Sequence, residues 1–235
     1  MGSSFAAAGR YLALDTSGDV GYVAVSSGAT VVARTRLDRR GQHAARLVPA
    51  VAAMLDEAGL EPRHLDGIVV GDGPGSFTGV RVAAATAKGM AAALRIPLWA
   101  VSSLAAAALS DPGSGGPAVR YVLFDARVDR VYAACYGVGS VGVETLVPPH
   151  ASTLREVLGG GVPAGAEFVG DGAERHRRAI EDVGFPVRVP PHGKPTADAL
   201  LRFMALCPDT PAVASPGTWE PRYLRAANAE REWTA

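Results

Sequence analysis

The sequence predicts an α/β protein built from two similar halves, the second of them reduced. Three observations carry this expectation. The first 110 residues alternate short apolar runs and helical periods in the order β-β-β-α-β-α. A stretch with no core-forming side chain, DPGSGGP at 111–117, then interrupts the chain. After it the chain restarts on the same kind of hairpin with which it began.

The restart is visible when YLALDTSGDVGYVA (11–24) is laid over YVLFDARVDRVYAA (121–134). Tyr11 meets Tyr121, Asp15 meets Asp125, Asp19 meets Asp129, Tyr22 meets Tyr132 and Ala24 meets Ala134. Both windows read as strand, turn and strand. Folds of two such halves bind nucleotide in the cleft between them, with hairpin turns from both sides facing the phosphates.

The elements follow in order. Residues 11–15 and 22–25 read as strands around the turn TSGDVG, and 30–37 adds a third strand to the meander. Residues 43–58 set Leu47, Val51, Met54 and Leu55 at helical spacing, with Gly59 as a stop. A buried strand covers 67–71, a helix 77–94, a strand 96–101, and a short Ala-rich helix follows. In the second half, helices are expected near 173–183 and 196–206, within a chain rich in Pro and Gly beyond residue 147. The expected organisation is a disordered extension at 1–10, a first subdomain at 11–110, a linker at 111–118 and a second subdomain at 119–235.

Composition narrows the classes. Hydrophobic residues make up 48% and charged residues 20%, enough apolar material for a packed core. Lys+Arg and Asp+Glu are both 23, so no net charge draws the chain to nucleic acid or to an anionic membrane. Cys135 and Cys207 form no CxxC, which argues against a zinc knuckle or a disulfide framework and suits a reducing cytoplasm. No apolar run is long enough to cross a membrane as a helix.

The most distinctive stretch is GDGPGSFTGVRVAAATAKGM (71–90). It is no P-loop, because Lys88 lies far beyond Thr78, and its glycines miss the dinucleotide spacing. Gly73 and Gly75 let backbone approach a ligand, and Ser76 or Thr78 caps the helix that follows. A capped tight turn without ligand fits the same residues. Asp15 and Asp125 stand at strand ends, where carboxylates hold Mg²⁺ near phosphates and where Asp also favours plain turns. The candidate nucleotide contacts are therefore Asp15, Thr16, Ser17, Gly73, Gly75, Ser76, Thr78 and Asp125. No catalytic residue can be assigned. Histidines 43, 64, 150, 176 and 192 never fall in HxxxH or HExxH, so no metal-ligand pair is expected. Val80, Ala83, Ala84, Ala87, Met90 and Ala91 share a small-residue helix face, and the 43–58 helix offers Leu47, Val51 and Met54. Both helices are Ala-rich nearly all round, which favours a protein–protein interface on these residues.

LALDTS (12–17), GDGPGSFTGVRVAAATAKGMA (71–91), VSSL (101–104), DARVDRVYAACY (125–136) and PRYLR (221–225) together resemble the TsaB family, also called YeaZ. The similarity covers about residues 11–110, 119–136 and the C-terminal end; PGSFTGxR is its most specific part, and 137–215 matches loosely. The resemblance implies a two-domain actin/Hsp70/sugar-kinase-like (ASKHA) fold with duplicated RNase H-like halves. It also implies kinship with TsaD, which transfers threonylcarbamoyl to adenosine 37 of tRNAs reading codons that begin with A. TsaD carries a metal-binding HxxxH where this chain has His43-Ala-Ala-Arg-Leu47. The implied role is a non-catalytic subunit, dimeric alone and paired with TsaD, with TsaE in the larger complex and tRNA reached through that complex. No cofactor of its own is implied, and ATP or ADP with Mg²⁺ belongs to the complex. The alternative is an active ASKHA ATPase or small-molecule kinase using Asp15, Thr16, Ser17 and the 73–78 loop. A metallopeptidase is disfavoured because a single imidazole cannot hold a catalytic metal unaided.

Overall fold

The computed structural model describes residues 5–38, 43–110 and 118–224. Its first half opens with the expected meander, β1 (Arg10–Asp15), β2 (Gly21–Ser27) and β3 (Thr30–Leu37). Then come α1 (His43–Glu57), β4 (Gly67–Gly71), α2 (Phe77–Leu94), β5 (Leu98–Val101) and α3 (Ser103–Ala108). The first sheet has the order β3-β2-β1-β4-β5, with β1, β4 and β5 parallel and β2 antiparallel to its neighbours.

The second half contains β6 (Ala118–Asp125), β7 (Arg130–Val138), β8 (Val143–Thr153), α4 (Leu154–Gly159) and β9 (Ala166–Val169). Three helices follow: α5 (Asp171–Arg175), α6 (Arg177–Glu181) and α7 (Ala197–Leu206). Its sheet runs β8-β7-β6-β9, with β6 and β9 parallel. That is the first sheet's β3-β2-β1-β4, and in the fifth place the described residues hold only a single parallel bridge of Val187 to Phe168, so the halves are duplicated and the second is reduced. β8 runs into the Pro/Gly-rich stretch beyond residue 147, for which only helices were expected, and it carries Pro148 and Pro149. An edge strand leaves N–H positions unpaired and so tolerates both.

The two hairpins match in place but differ in register. Asp15 pairs with Tyr22, whereas Asp125 pairs with Val131 and Tyr132 lies opposite Phe124. The second turn is one residue shorter and closes through three successive left-handed residues, Arg127 (φ 62), Val128 (φ 50) and Asp129 (φ 55).

Strand alternation sorts the core into layers. On β1, Leu12 and Leu14 face α1 and α2, while Tyr11 and Ala13 face α7. On β6, Tyr121 and Leu123 join Val157 and Ile180 in one outer core, while Val122 and Phe124 face α3. The arrangement is α1–α2, first sheet, α3–α7, second sheet, α4–α6.

Two boundaries differ from expectation. Residues 5–10 are not a loose extension: Phe5 stacks on Tyr11 at 3.9 Å, and the Tyr11 hydroxyl hydrogen-bonds both the N–H and the C=O of Ala6. Residues 1–4 and the linker at 111–117 lie outside the described residues. The C-terminal part does not belong to the second subdomain. Leu200, Leu201 and Met204 of α7 pack on Tyr11, Ala13 and Val69 of the first sheet. The segment 212–224 then runs along the first half, with the Val213 N–H on the Leu98 carbonyl at 2.7 Å and the Lys88 ammonium on the Trp219 carbonyl at 2.7 Å. Sequence order misleads here because the linker marks a topological pause and not the end of packing. A chain of residues 1–110 is expected to show no cooperative urea transition and no near-UV circular dichroism. In the full chain, Leu200→Ala is expected to cost about 2–5 kcal/mol in the same urea titration.

Candidate functional site

A cavity of about 730 Å³ opens between the two halves. One wall is the first hairpin turn (Ser17, Gly18, Asp19) with the Gly-rich loop (Pro74, Gly75, Ser76); the other is the second hairpin (Asp125, Arg127) with Asp171 and Lys194. Five of the expected nucleotide contacts line it: Ser17, Gly75, Ser76, Thr78 and Asp125. Asp15, Thr16 and Gly73 do not, and these three are corrected.

The reason is a polar knot beneath the first hairpin. Asp15 is fully buried. Its Oδ1 accepts from the Ser17 N–H at 2.7 Å and the Ser17 hydroxyl at 2.6 Å, and its Oδ2 accepts from the Ser103 hydroxyl at 2.6 Å. Burial pushes its carboxyl above the usual range, against the pull of these donors. The Thr16 hydroxyl donates to the Gly79 carbonyl at 2.6 Å, and the Ser76 N–H donates to the Ser17 carbonyl at 2.7 Å. The Gly-rich loop is thus bound onto the hairpin. A Cβ at Gly75 would collide with the Ser17 carbonyl, and one at Gly79 with the Thr16 carbonyl, so glycine is required at both for this close approach. Ser76 is the cap of α2, accepting from the Gly79 N–H at 3.3 Å.

The sequence offers Asp15 at a strand end for Mg²⁺ and the first hairpin turn for phosphate. These residues do not fit that pair. Both Asp15 oxygens are committed to protein donors with no face toward the cleft, and the Ser17 N–H is turned inward. Among the described residues, no group of three or more His, Cys, Asp or Glu is placed to hold a metal ion. His43 is buried at the start of α1, and Leu47, at the second position of the HxxxH pattern, lies in the core.

The residues expected at an interface also need correction. Leu47, Val51, Met54, Val80, Ala83, Ala84, Ala87 and Ala91 are buried within the chain itself, and Met90 is half-buried against the same core. The eight buried residues have no surface left for a partner, while Met90 keeps part of its surface exposed. The outward rows are Ala45, Val48 and Ala52 on α1, and Arg81, Ala85, Gly89 and Ala93 on α2. An Ala-rich helix carries little periodic contrast, so the inner row could not be told from the outer one.

With the geometry in hand, comparison with known proteins decides the family. A Bacillus subtilis (strain 168) protein, tRNA threonylcarbamoyladenosine biosynthesis protein TsaB, is 33% identical over 238 residues, spanning 94% of this chain and 96% of its own. This chain belongs to the TsaB family. The Escherichia coli (strain K12) TsaB is 35% identical over 127 residues, 54% of each chain. The solved structure of YeaZ from Pseudomonas aeruginosa superposes with a TM-score of 0.77 at 30% identity, covering 92% of this chain and all of that one. The family profile described as TsaD, tRNA N6-adenosine threonylcarbamoyltransferase, matches residues 38–188. The ethanolamine utilization protein EutJ from Carboxydothermus hydrogenoformans, at 13% identity and TM-score 0.51, shares the fold alone.

Sequence reasoning missed several residues that complete the cleft of this TsaB-family chain. Tyr22 and Tyr132 line it from the two halves, in keeping with their match in the hairpin alignment. Lys194 arrives from the Pro/Gly-rich segment that had no assigned role. Arg222 and Tyr223, inside the PRYLR motif, also line it. The Tyr223 ring lies 5.4 Å from Phe77, and its hydroxyl accepts from Arg81 Nε at 3.1 Å. The Arg81 guanidinium sits 3.7 Å over the Phe77 ring. The motif therefore ties the C-terminal segment to the first turn of α2.

Arg222 also faces Asp72. Its N–H donates to the Asp72 carbonyl at 3.1 Å, and its Nε stands 4.0 Å from Asp72 Oδ2. Asp72 Oδ1 is buried without a hydrogen-bond partner. Burial pushes the Asp72 carboxyl up to about 6, while the Arg222 charge pulls it down and Asp15 pushes it further up. A folded-state pKa above the unfolded one favours folding at low pH, and that contribution is lost as pH rises through about 6. Asp72→Asn is therefore expected to raise stability at pH 7 by about 1–3 kcal/mol. It should also flatten the fall in stability between pH 4 and pH 7. Urea midpoints across that range check both; an unchanged pH profile would contradict the assignment.

Proposed function

We propose that this chain is a non-catalytic subunit in the formation of threonylcarbamoyladenosine at position 37 of tRNAs reading codons that begin with A. It docks a TsaD-type subunit through the outer rows of α1 and α2, and pairs with a second copy of itself when alone. TsaE and tRNA join through the larger complex, any ATP and Mg²⁺ chemistry sits with the partners, and the setting is cytoplasmic. Among the described residues, no helix is long and apolar enough to cross a membrane.

The observation that carries the interface is Gly89. It lies in the middle of α2, exposed, and a Cβ built there meets nothing within 4 Å. A mid-helix glycine costs about 0.5–1 kcal/mol relative to alanine. Nothing inside the chain requires that cost, whereas close approach by another helix does. The flanking Ala85 and Ala93 and the half-exposed Val48 continue the small apolar surface. The alternative, an ATPase or kinase using Asp15, is weakened by the knot that occupies both carboxylate oxygens.

Two tests separate the parts. Threonylcarbamoyladenosine formation by TsaD, TsaE and the threonylcarbamoyl-adenylate synthase should fall strongly when this chain is left out; equal modification would refute the subunit role. Ala85→Glu should bury an unpaired charge worth several kcal/mol at an assembled interface. Light scattering should then show a folded monomer that no longer joins TsaD. Gly89→Ala should stabilise the monomer by about 0.5–1 kcal/mol and weaken assembly. Assembly unaffected by both substitutions would place the interface elsewhere.

A further inference from the structure

On the docking role set out above, we propose further that Arg81 is the charged anchor of the α1–α2 face. The TsaD-type partner then brings a helix carrying a carboxylate about two turns from where it crosses Gly89.

Phe77, Arg81, Ala85, Gly89 and Ala93 follow at intervals of four residues on α2, and all are exposed. They form one ridge along the outer face. The ridge is bulky at its N-terminal end and nearly bare from Ala85 onward. At about 1.5 Å of rise per residue, Arg81 stands about 12 Å along the axis from Gly89. A partner helix that comes closest at Gly89 leaves room at Arg81 for a long side chain of its own.

Arg81 is held in place before any partner arrives. Its guanidinium carbon lies 3.7 Å from the Phe77 ring centre and 5.6 Å from that of Tyr223. Its Nε donates to the Tyr223 hydroxyl at 3.1 Å. The N–H groups on its two Nη atoms have no hydrogen-bond or ion-pair partner among the described residues. α2 contains no acidic residue. On the neighbouring segments the carboxylates are matched elsewhere: Glu220 stands 3.5 Å from Lys88, and Asp72 faces Arg222 at 4.0 Å. The Phe77 and Tyr223 rings beside the cation are 40% and 38% exposed. Arginine and tyrosine at the centre of such a patch carry much of the energy of protein interfaces. A guanidinium already fixed by two rings loses little further freedom on binding, and its Nη groups match a carboxylate in two parallel hydrogen bonds. A nucleic-acid backbone is the poorer match. It needs several cations in a row, and the others here, Lys88 and Arg222, are engaged with Glu220 and Asp72.

Titration calorimetry of the full chain with TsaD, at low and high salt, tests this. Arg81→Met keeps the stem on Phe77 and removes the charge. It should weaken binding about tenfold, one charge-assisted contact's worth, and flatten the salt dependence. Tyr223→Phe keeps the ring and frees Nε, and should weaken binding about threefold. Arg81→Glu should abolish binding, and exchange of one carboxylate on the docking helix of TsaD for lysine should restore it. Arg81 and Tyr223 are both exposed, so circular dichroism should stay native. Three results would overturn the proposal. Arg81→Glu could bind TsaD within about twofold of the parent chain. No acid-to-lysine exchange on TsaD could restore it. Arg81→Met could spare TsaD while dissolving the self-dimer or loosening tRNA, which would make the occupant a second copy or a phosphate. Ala85→Glu keeps the two readings apart: if it blocks TsaD while every Arg81 variant binds normally, the docking face stands and the anchor falls.

Discussion

Each of the two sheets is apolar on both faces, and each face has to be covered. The chain solves this with a single shared middle layer. α3 comes from the end of the first half and α7 from the end of the chain, and together they bury the facing sides of both sheets. Everything that shapes the cleft follows. Because α7 has to return to the first sheet, the segment before it carries Lys194 into the lining of the cleft. The segment after it has nowhere to go but along α2, which brings Arg222 and Tyr223 to the same lining. A reduced second half is tolerable because α3 of the first half, with Phe203 of α7, completes its inner core.

The second constraint is the polar knot at Asp15. A buried carboxylate is expensive unless its oxygens are satisfied. Here three donors from Ser17 and Ser103 do so. Beside it, the Thr16 hydroxyl on the Gly79 carbonyl and the Ser76 N–H on the Ser17 carbonyl draw the Gly-rich loop down onto the first hairpin, and glycine is needed at 75 and 79 where the backbones meet. The loop's glycines thus serve backbone-to-backbone packing, with the ligand cavity beyond them. A stretch that resembles a phosphate cradle is in fact a clasp between β1, the start of α2 and α3.

The two Ala-rich helices show how little periodicity says when contrast is low. In α2 the inner row is as small as the outer one, because the helix lies close to the sheet and its buried positions are Gly79, Val80, Ala83, Ala84, Ala87 and Ala91. The distinction between inside and outside emerges from Gly89, whose missing side chain has no explanation in this chain's packing.

By itself the sequence determined the fold class, the duplicated hairpin, the order of the first-half elements and the family, because these depend on local patterning and on an uninterrupted motif. The start of α2 at Phe77, its cap at Ser76 and the cleft contacts Ser17, Gly75, Ser76, Thr78 and Asp125 were legible for the same reason. Only the tertiary structure decided the rest. β8 is permitted by its edge position, α7 is assigned by the need to cover the first sheet, and Asp15 is withdrawn from the cleft by donors as distant in sequence as Ser103. Which alanines face outward, and that Arg127 and Lys194 stand on one wall, are likewise long-range outcomes. Burial and charge pairing are set by segments far apart in the chain, and no spacing within a single window records them.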